Sequence, residues 1–339
     1  MAVVSTGFFD GVHLGHRHVI DRLLSEAKAA GEESVVVTFW PHPRNVLQDD
    51  ARNLRLLTSL QEKQLLLNGL GVDRIEIIPF TREFSRMTTE TYLREVLIGR
   101  FGAGTVILGY DNRIGSDLLS SEDIVPIAER LGLRAIVESP VTVSLRGKGF
   151  SSGPSLRDPS RQAGSLPLTW PRVAMDPEGK PLPPEGVTVS STKIREALAE
   201  GRVGDAGAML GYRYCLHGVV VAGNKLGRTI GFPTANMQLY DPLKMIPSNG
   251  VYAVEVETVG RHLYGMCNIG VRPTVGQGNA RTIETNIFDF DEDIYGLDIR
   301  VRFIDKIRDE HQFDSLQSLA SQLFLDREAC LGKIPAPSL

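Results

Sequence analysis

The sequence predicts two domains in tandem: a doubly wound α/β domain, then a β-rich domain built as a small antiparallel barrel with a closing C-terminal helix. Three observations carry this expectation. The chain has 339 residues, a length that suits two domains. Residues 1–140 alternate short apolar runs with helical patterns. After Gly211 short β-rich runs follow one another, separated by Gly, Asn and Asp turns.

The elements follow in order. Residues 2–6 read as a strand, and residues 16–30 as a helix with Val19, Ile20, Leu23, Leu24 and Ala27 on one face. Residues 34–39 form a β-branched run suited to a buried parallel strand. A helix over 59–70, ended by Gly69 and Gly71, leads to a strand over 74–80. A helix near 89–98, a strand at 105–108, a helix over 121–131 and a strand at 135–137 complete the alternation.

Residues 144–186 break the pattern. Pro, Gly and Ser make up 20 of these 43 residues, too little apolar surface for a core. A long loop, a lid or a partly disordered insertion is expected there. Order returns at 187–190, before a helix from Ser191 to about Glu200 capped by Ser190 or Ser191. The later β-rich runs are 214–221, 250–259, 262–269, 282–290 and 299–307. A final helix over 315–330 carries Leu316, Leu319, Ala320, Leu323 and Phe324 as an apolar stripe, with Asp314 as its expected cap.

Composition narrows the function. A formal net charge of -4 argues against a general nucleic-acid binder, which needs a basic face. Cys215, Cys267 and Cys330 are far apart and form no CxxC pair, so idle thiols in a reducing cytoplasm are expected. No apolar run approaches the roughly 20 residues of a membrane span, and the N-terminus lacks the pattern of a signal peptide. A homo-oligomer is compatible with the sequence.

The first chemical motif lies where strand one meets helix one. Gly7, Gly11 and Gly15 allow a tight turn and close backbone approach to a ligand. The helix N-terminus favours phosphate, and His13 and His16 straddle it so that both imidazoles can face one phosphate. Ser191, Thr192 and Arg195 stand at a second helix start, where hydroxyls, N–H groups and a guanidinium suit a triphosphate. Taken alone, the first segment also reads as a Gly-rich turn with two incidental histidines.

Together these motifs resemble the nucleotidyltransferase superfamily. The run 7–17, GFFDGVHLGHR, is similar to the FMN adenylyltransferase module of bacterial riboflavin kinase/FAD synthetases. That family carries a PHP loop after strand two, and Phe39-Trp40-Pro41-His42-Pro43 stands there. The resemblance implies His13 and His16 on ATP phosphates, with Ser191, Thr192 and Arg195 helping, Asp111 near the nucleotide, and Phe39, Pro41, His42 and Pro43 on the flavin side. The PHP segment reads equally as a stiff loop fixing the strand exit. Three positions depart from the family pattern. Asn112 and Ile114 replace two aromatic residues in the loop after the fourth strand, and Phe8 stands where many members carry Asn.

The second motif opens the barrel domain. A Gly-rich loop containing Gly223 and Gly227 runs into Pro233-Thr234-Ala235-Asn236. Small residues let backbone N–H groups approach phosphates, and the oxygens of Thr234 and Asn236 suit Mg²⁺ carried by ATP. GRTIGFPTAN looks like riboflavin kinase, and the segments at 249–253, 268–274 and 284–290 resemble that family's NGVY, NIGxRPT and ETHIFDF, with Asn286 in place of its His. A positioned carboxylate can take the proton of the attacking ribityl hydroxyl, which points to Glu284 as base. Arg272 reads either as an active-site cation or as a surface charge.

The resemblance therefore implies an FMN adenylyltransferase domain over 1–200, including the 144–186 insertion, and a riboflavin kinase domain over 212–339. ATP, Mg²⁺, riboflavin and FMN would be its partners. Two alternatives remain at this stage: a riboflavin kinase with an inactive adenylyltransferase-like domain, and a flavin or nucleotide sensor.

Overall fold

The computed structural model describes residues 1–47, 54–145, 186–223, 226–273 and 279–334, with side chains for all of these except Leu226, Arg272, Pro273, Asn279 and Ala280. Most of the 144–186 stretch lies outside the described residues. The chain divides into two compact units, with the change of unit at Ser191/Thr192.

In the N-terminal unit β1 (Ala2–Thr6), β2 (Glu33–Trp40), β3 (Arg74–Pro79), β4 (Ala103–Gly109) and β5 (Arg134–Glu138) form one parallel sheet in the order β3-β2-β1-β4-β5. The strands alternate their side chains between two cores. Val4, Val35, Val37, Val106 and Leu108 face one core, with Leu93, Leu97, Ile124 and Ala128. Val3, Val36 and Ile107 face the other, with Val19, Ile20, Leu23 and Leu67. Burial of each such side chain is worth about 1.5–3 kcal/mol. This two-sided burial is why the strands read as continuous apolar runs.

The helices begin where side chains can cap them. α1 (Leu14–Ala30) ends at Gly31, whose φ of 65° lies in the left-handed region. α2 (Pro43–Leu47) opens directly on the PHP proline. α3 (Leu60–Gly69) starts with a Ser59/Glu62 capping box. α4 (Thr89–Thr91) continues as a π-helix over Tyr92–Arg100. α5 (Ser121–Arg130) starts with a Ser120/Asp123 box. A two-stranded ribbon, β6 (Thr142–Val143) with β7 (Val187–Thr188), precedes α6 (Ser191–Ala199).

The C-terminal unit contains α6 from Thr192 onward, α7 (Val203–Leu210), β8 (Cys215–Val221), α8 (Leu226–Thr229), β9 (Ala235–Leu239), β10 (Gly250–Thr258), β11 (Arg261–Pro273), β12 (Asn279–Ile287), β13 (Asp298–Arg308) and α9 (Leu316–Leu331). Its strands close into an antiparallel barrel in the order β10-β11-β12-β9-β8-β13. α9 packs on β10, β11 and β13.

Two expectations about α9 are corrected. Ser315, not Asp314, is its cap, exchanging hydrogen bonds with Ser318. The expected apolar stripe is its buried face only in part: Leu319, Ala320 and Leu323 are half-buried, with Leu323 packed on the barrel core, whereas Leu316 and Phe324 are more than half exposed. The helix also buries Cys330 and Asp326. Asp326 accepts two hydrogen bonds from Arg308, at 2.8 and 2.7 Å, and one from Gln322 at 2.9 Å. A charge can sit in this apolar seam because its acceptors are used. Cys267 and Cys330 are buried, and burial pushes both thiols up to about 12.

Candidate functional sites

The first site is built by the turn from β1 into α1. The helix begins at Leu14 rather than His16, so His13 is its N-cap, and its Nδ1 accepts the His16 backbone N–H at 3.3 Å. That bond leaves the His13 ring proton on Nε2. The two imidazoles lie flat against each other, with centroids 3.6 Å apart and planes 13° apart. Burial, then the neighbouring His13 and Lys63, hold His16 well below the ordinary histidine value. Its Nδ1 is buried without a hydrogen-bond partner among the described residues.

The turn is strained and anchored. Phe9 and Val12 have φ of 51° and 37°, unusual for a bulky and a β-branched residue, and Gly11 has 83°. Asp10, buried beneath the turn, accepts N–H bonds from Leu57 and Thr58, each at 3.0 Å. Gly11 N–H donates to the Thr58 hydroxyl at 3.0 Å, and Arg17 Nε donates to the Val12 carbonyl at 3.1 Å. Gly15 and Gly7 leave room for neighbouring rings: a Cβ at either would crowd the ring of His13 or Phe9 at 3.2 or 3.3 Å.

The other expected residues are placed one by one. Ser191 donates its hydroxyl to the Asp10 carbonyl at 3.0 Å and opens α6, the helix that carries Thr192 and Arg195. Asp111 is exposed just beyond the carboxyl end of β4. His42 accepts the Arg44 N–H at 3.1 Å and sets its ring edge-on to Phe8, with centroids 3.9 Å apart. Pro41 is exposed and Pro43 opens α2. Phe39 belongs to an aromatic cluster with Phe80, Phe84 and Tyr92.

The second site lies on the barrel wall. Glu284 on β12 pairs in register with Asn236 on β9 and with Asn268 on β11. Directly paired residues of antiparallel strands point to one face, so a carboxylate stands between two amides. Gly223 backs onto Asn236 so closely that a Cβ would overlap its amide, and a Cβ at Gly227 would meet the Phe232 carbonyl and the Thr234 methyl. Gly223 and Gly227 are thus both held close against the Thr234–Asn236 segment. The Arg272 side chain lies outside the described residues.

Similarity to known proteins follows the same division. Residues 1–152 match the family described as FAD synthetase, and residues 210–332 the family described as riboflavin kinase. The bifunctional riboflavin kinase/FMN adenylyltransferase of Bacillus subtilis is 30% identical, over 97% of this chain and 92% of that protein. This chain belongs to the bifunctional riboflavin kinase/FMN adenylyltransferase family. The Listeria monocytogenes member is 32% identical over 96% of this chain and 90% of its own length. A crystal structure from Streptococcus pneumoniae, described as a macrolide-efflux protein, covers 97% of this chain and 93% of its own, with 30% identity and a TM-score of 0.78. No helix among the described residues is long and apolar enough to cross a membrane.

Against the pattern of this bifunctional family the departures acquire local reasons. Ile114 is buried in the core beside the Thr89–Arg100 helical segment. Asn112 accepts the Gly109 N–H at 3.2 Å and donates to the Thr6 carbonyl at 2.7 Å, tying the ends of β1 and β4 together. Asn286 donates to the Pro233 carbonyl at 2.7 Å and so holds the segment before Thr234. Three residues escaped the sequence reading. Asn268 lay inside a recognised motif, and only strand register brings it beside Glu284. Asp10 and Lys63 carry no local signal of their burial.

Proposed function

We propose that residues 1–200 form the FMN adenylyltransferase domain and residues 212–339 the riboflavin kinase domain. The chain thereby phosphorylates riboflavin to FMN and adenylylates FMN to FAD. The observation that carries the kinase assignment is the register setting Glu284 opposite Asn236 and Asn268 beside a Gly-rich loop.

In the kinase half, Glu284 takes the proton of the ribityl hydroxyl as its oxygen bonds to the γ-phosphorus and the bond to ADP breaks. Gly223 and Gly227 keep the loop close enough for backbone N–H groups to reach the phosphates. Thr234 and Asn236 offer a hydroxyl and an amide oxygen beside the carboxylate of Glu284. These hard donors fit Mg²⁺ brought by the nucleotide, which neutralises phosphate charge when bound. Arg272 is assigned to the flavin by resemblance to the family.

In the adenylyltransferase half, a phosphate oxygen of FMN bonds to the α-phosphorus of ATP and pyrophosphate leaves. No proton need move, so positioning and charge stabilisation dominate. His13 and His16 offer imidazole N–H donors, and the start of α1 adds its backbone N–H groups. Resemblance to the family assigns Ser191, Thr192 and Arg195 to the phosphates as well, Asp111 to the nucleotide, and Phe39, Pro41, His42 and Pro43 to the flavin. The three free cysteines suit a reducing cytoplasm.

A chromatographic product assay tests the reading. Purified protein with Mg²⁺-ATP should yield FAD from riboflavin and from supplied FMN. FMN as the sole product from riboflavin, with supplied FMN left unchanged, would reduce the chain to a kinase.

A further inference from the structure

Lys63 sits on α3, a helix whose sequence gives it no special mark, yet it is only 1% exposed. Its ammonium donates to two neutral oxygens, the Phe8 carbonyl at 3.0 Å and the Thr38 hydroxyl at 3.0 Å. The Thr38 hydroxyl in turn donates to the same Phe8 carbonyl at 3.2 Å. The ammonium also lies 4.1 Å from the centroid of the Phe8 ring, and that ring meets His42. One side chain thus joins the β1–α1 turn, the end of β2 and, through Phe8, the PHP loop.

Burying an ammonium costs several kcal/mol, and bonds to neutral oxygens do not offset it as a salt bridge would. A purely structural bridge needs no charge. The nearby carboxylate, Asp10, already accepts the Leu57 and Thr58 N–H groups. The charge therefore stands beneath the phosphate turn, where its field reaches an incoming anion.

We propose that Lys63 is a positioning residue of the adenylyltransferase half, fixing the Phe8 segment of the turn and supplying a standing positive charge under its phosphate site. This rests on the assignment of His13 and His16 to ATP phosphates. The titratable groups around it are Asp10, which favours its charged form, and His16 with its stacked partner His13 on α1. From β2 the facing group is the Thr38 hydroxyl, and His42 faces it across the Phe8 ring. Burial lowers the Lys63 ammonium to about 8. Its charge, and the FAD synthesis that depends on it, should fall as pH rises through that value.

The test uses the whole chain and follows FMN and FAD formation against pH for wild type, Lys63→Met and Lys63→Arg. Wild type should show an alkaline limb near pH 8 in FAD synthesis. Lys63→Met should lose FAD synthesis by about 10- to 100-fold in kcat while still making FMN. Lys63→Arg should retain activity and lose the limb, because a guanidinium stays charged above about pH 12. A Lys63→Met protein with wild-type FAD synthesis and the same limb would overturn the proposal. If Lys63→Met does not fold, a limb at unchanged pH in Lys63→Arg would overturn it instead. Absence of FAD from wild type would strike the adenylyltransferase assignment itself.

Discussion

Glu284 and Asn236 share one register position of neighbouring antiparallel strands, so a slip of one residue between β9 and β12 would turn one of them to the opposite face. The proposed kinase base therefore depends on strand pairing as much as on side-chain chemistry. Glu284→Gln keeps the shape and removes the proton acceptor. FMN formation should fall by about 10²- to 10⁴-fold, while FAD formation from supplied FMN persists. Equal losses in both reactions would refute two separate sites.

His13 does two things at once, capping α1 and stacking on His16. His13→Ala should slow FAD synthesis by about 10²-fold or more and leave FMN formation intact. Asn replaces the cap without the imidazole, so His13→Asn should recover helix stability but not rate. Normal FAD output from His13→Ala would remove His13 from the phosphate site.

His16 gives the N-terminal unit an acid sensitivity. Its folded pKa is depressed mainly by burial, so below about 6.5 the unfolded chain binds a proton that the folded chain resists. The folded state should lose stability as pH falls through that range. Urea unfolding of wild type should weaken between pH 8 and 5 by more than that of His16→Gln. Parallel pH dependence in the two proteins would show that His16 titrates normally.

Asn112 is a strap at the point where the sheet order reverses, the place where open α/β sheets bind ligands. Asn112→Ala would leave the Gly109 N–H and the Thr6 carbonyl without this partner. A stability loss of about 1–3 kcal/mol and a raised KM for ATP in FAD synthesis are expected. Unchanged urea midpoints would show that the strap is dispensable.

Much of this molecule was legible beforehand, and the failures have physical causes. The five parallel strands announced themselves because both faces are buried, leaving runs such as Val35-Val36-Val37. β9 was missed because Ala235 and Asn236 were read as part of a binding loop, and pairing with β8 and β12 makes them a strand. α7 was missed because Gly204 and Gly207 are poor helix formers, and packing against β13 overrides them. The stripe on α9 was legible only in part, because beside Leu323 the barrel also accepts an ion pair and a thiol. His13, His16 and Glu284 were legible as motifs, since their chemistry is local in sequence. Lys63 was not, because lysine on a helix nearly always faces water and only tertiary packing buries it.

The barrel closes unevenly. β10 pairs with β11 along all of its own length, whereas among the described residues β9 and β12 meet through Glu284–Asn236 and Thr285–Ala235. The shortest seam is the one proposed to carry the chemistry, so substrates bound across it would act as a staple. Ligand at about a hundred times its Kd adds about 2.7 kcal/mol to a folded state. Urea unfolding of the C-terminal unit should therefore shift upward with ATP and riboflavin. The supply of the vitamin would then govern how long the enzyme survives as well as how fast it turns over.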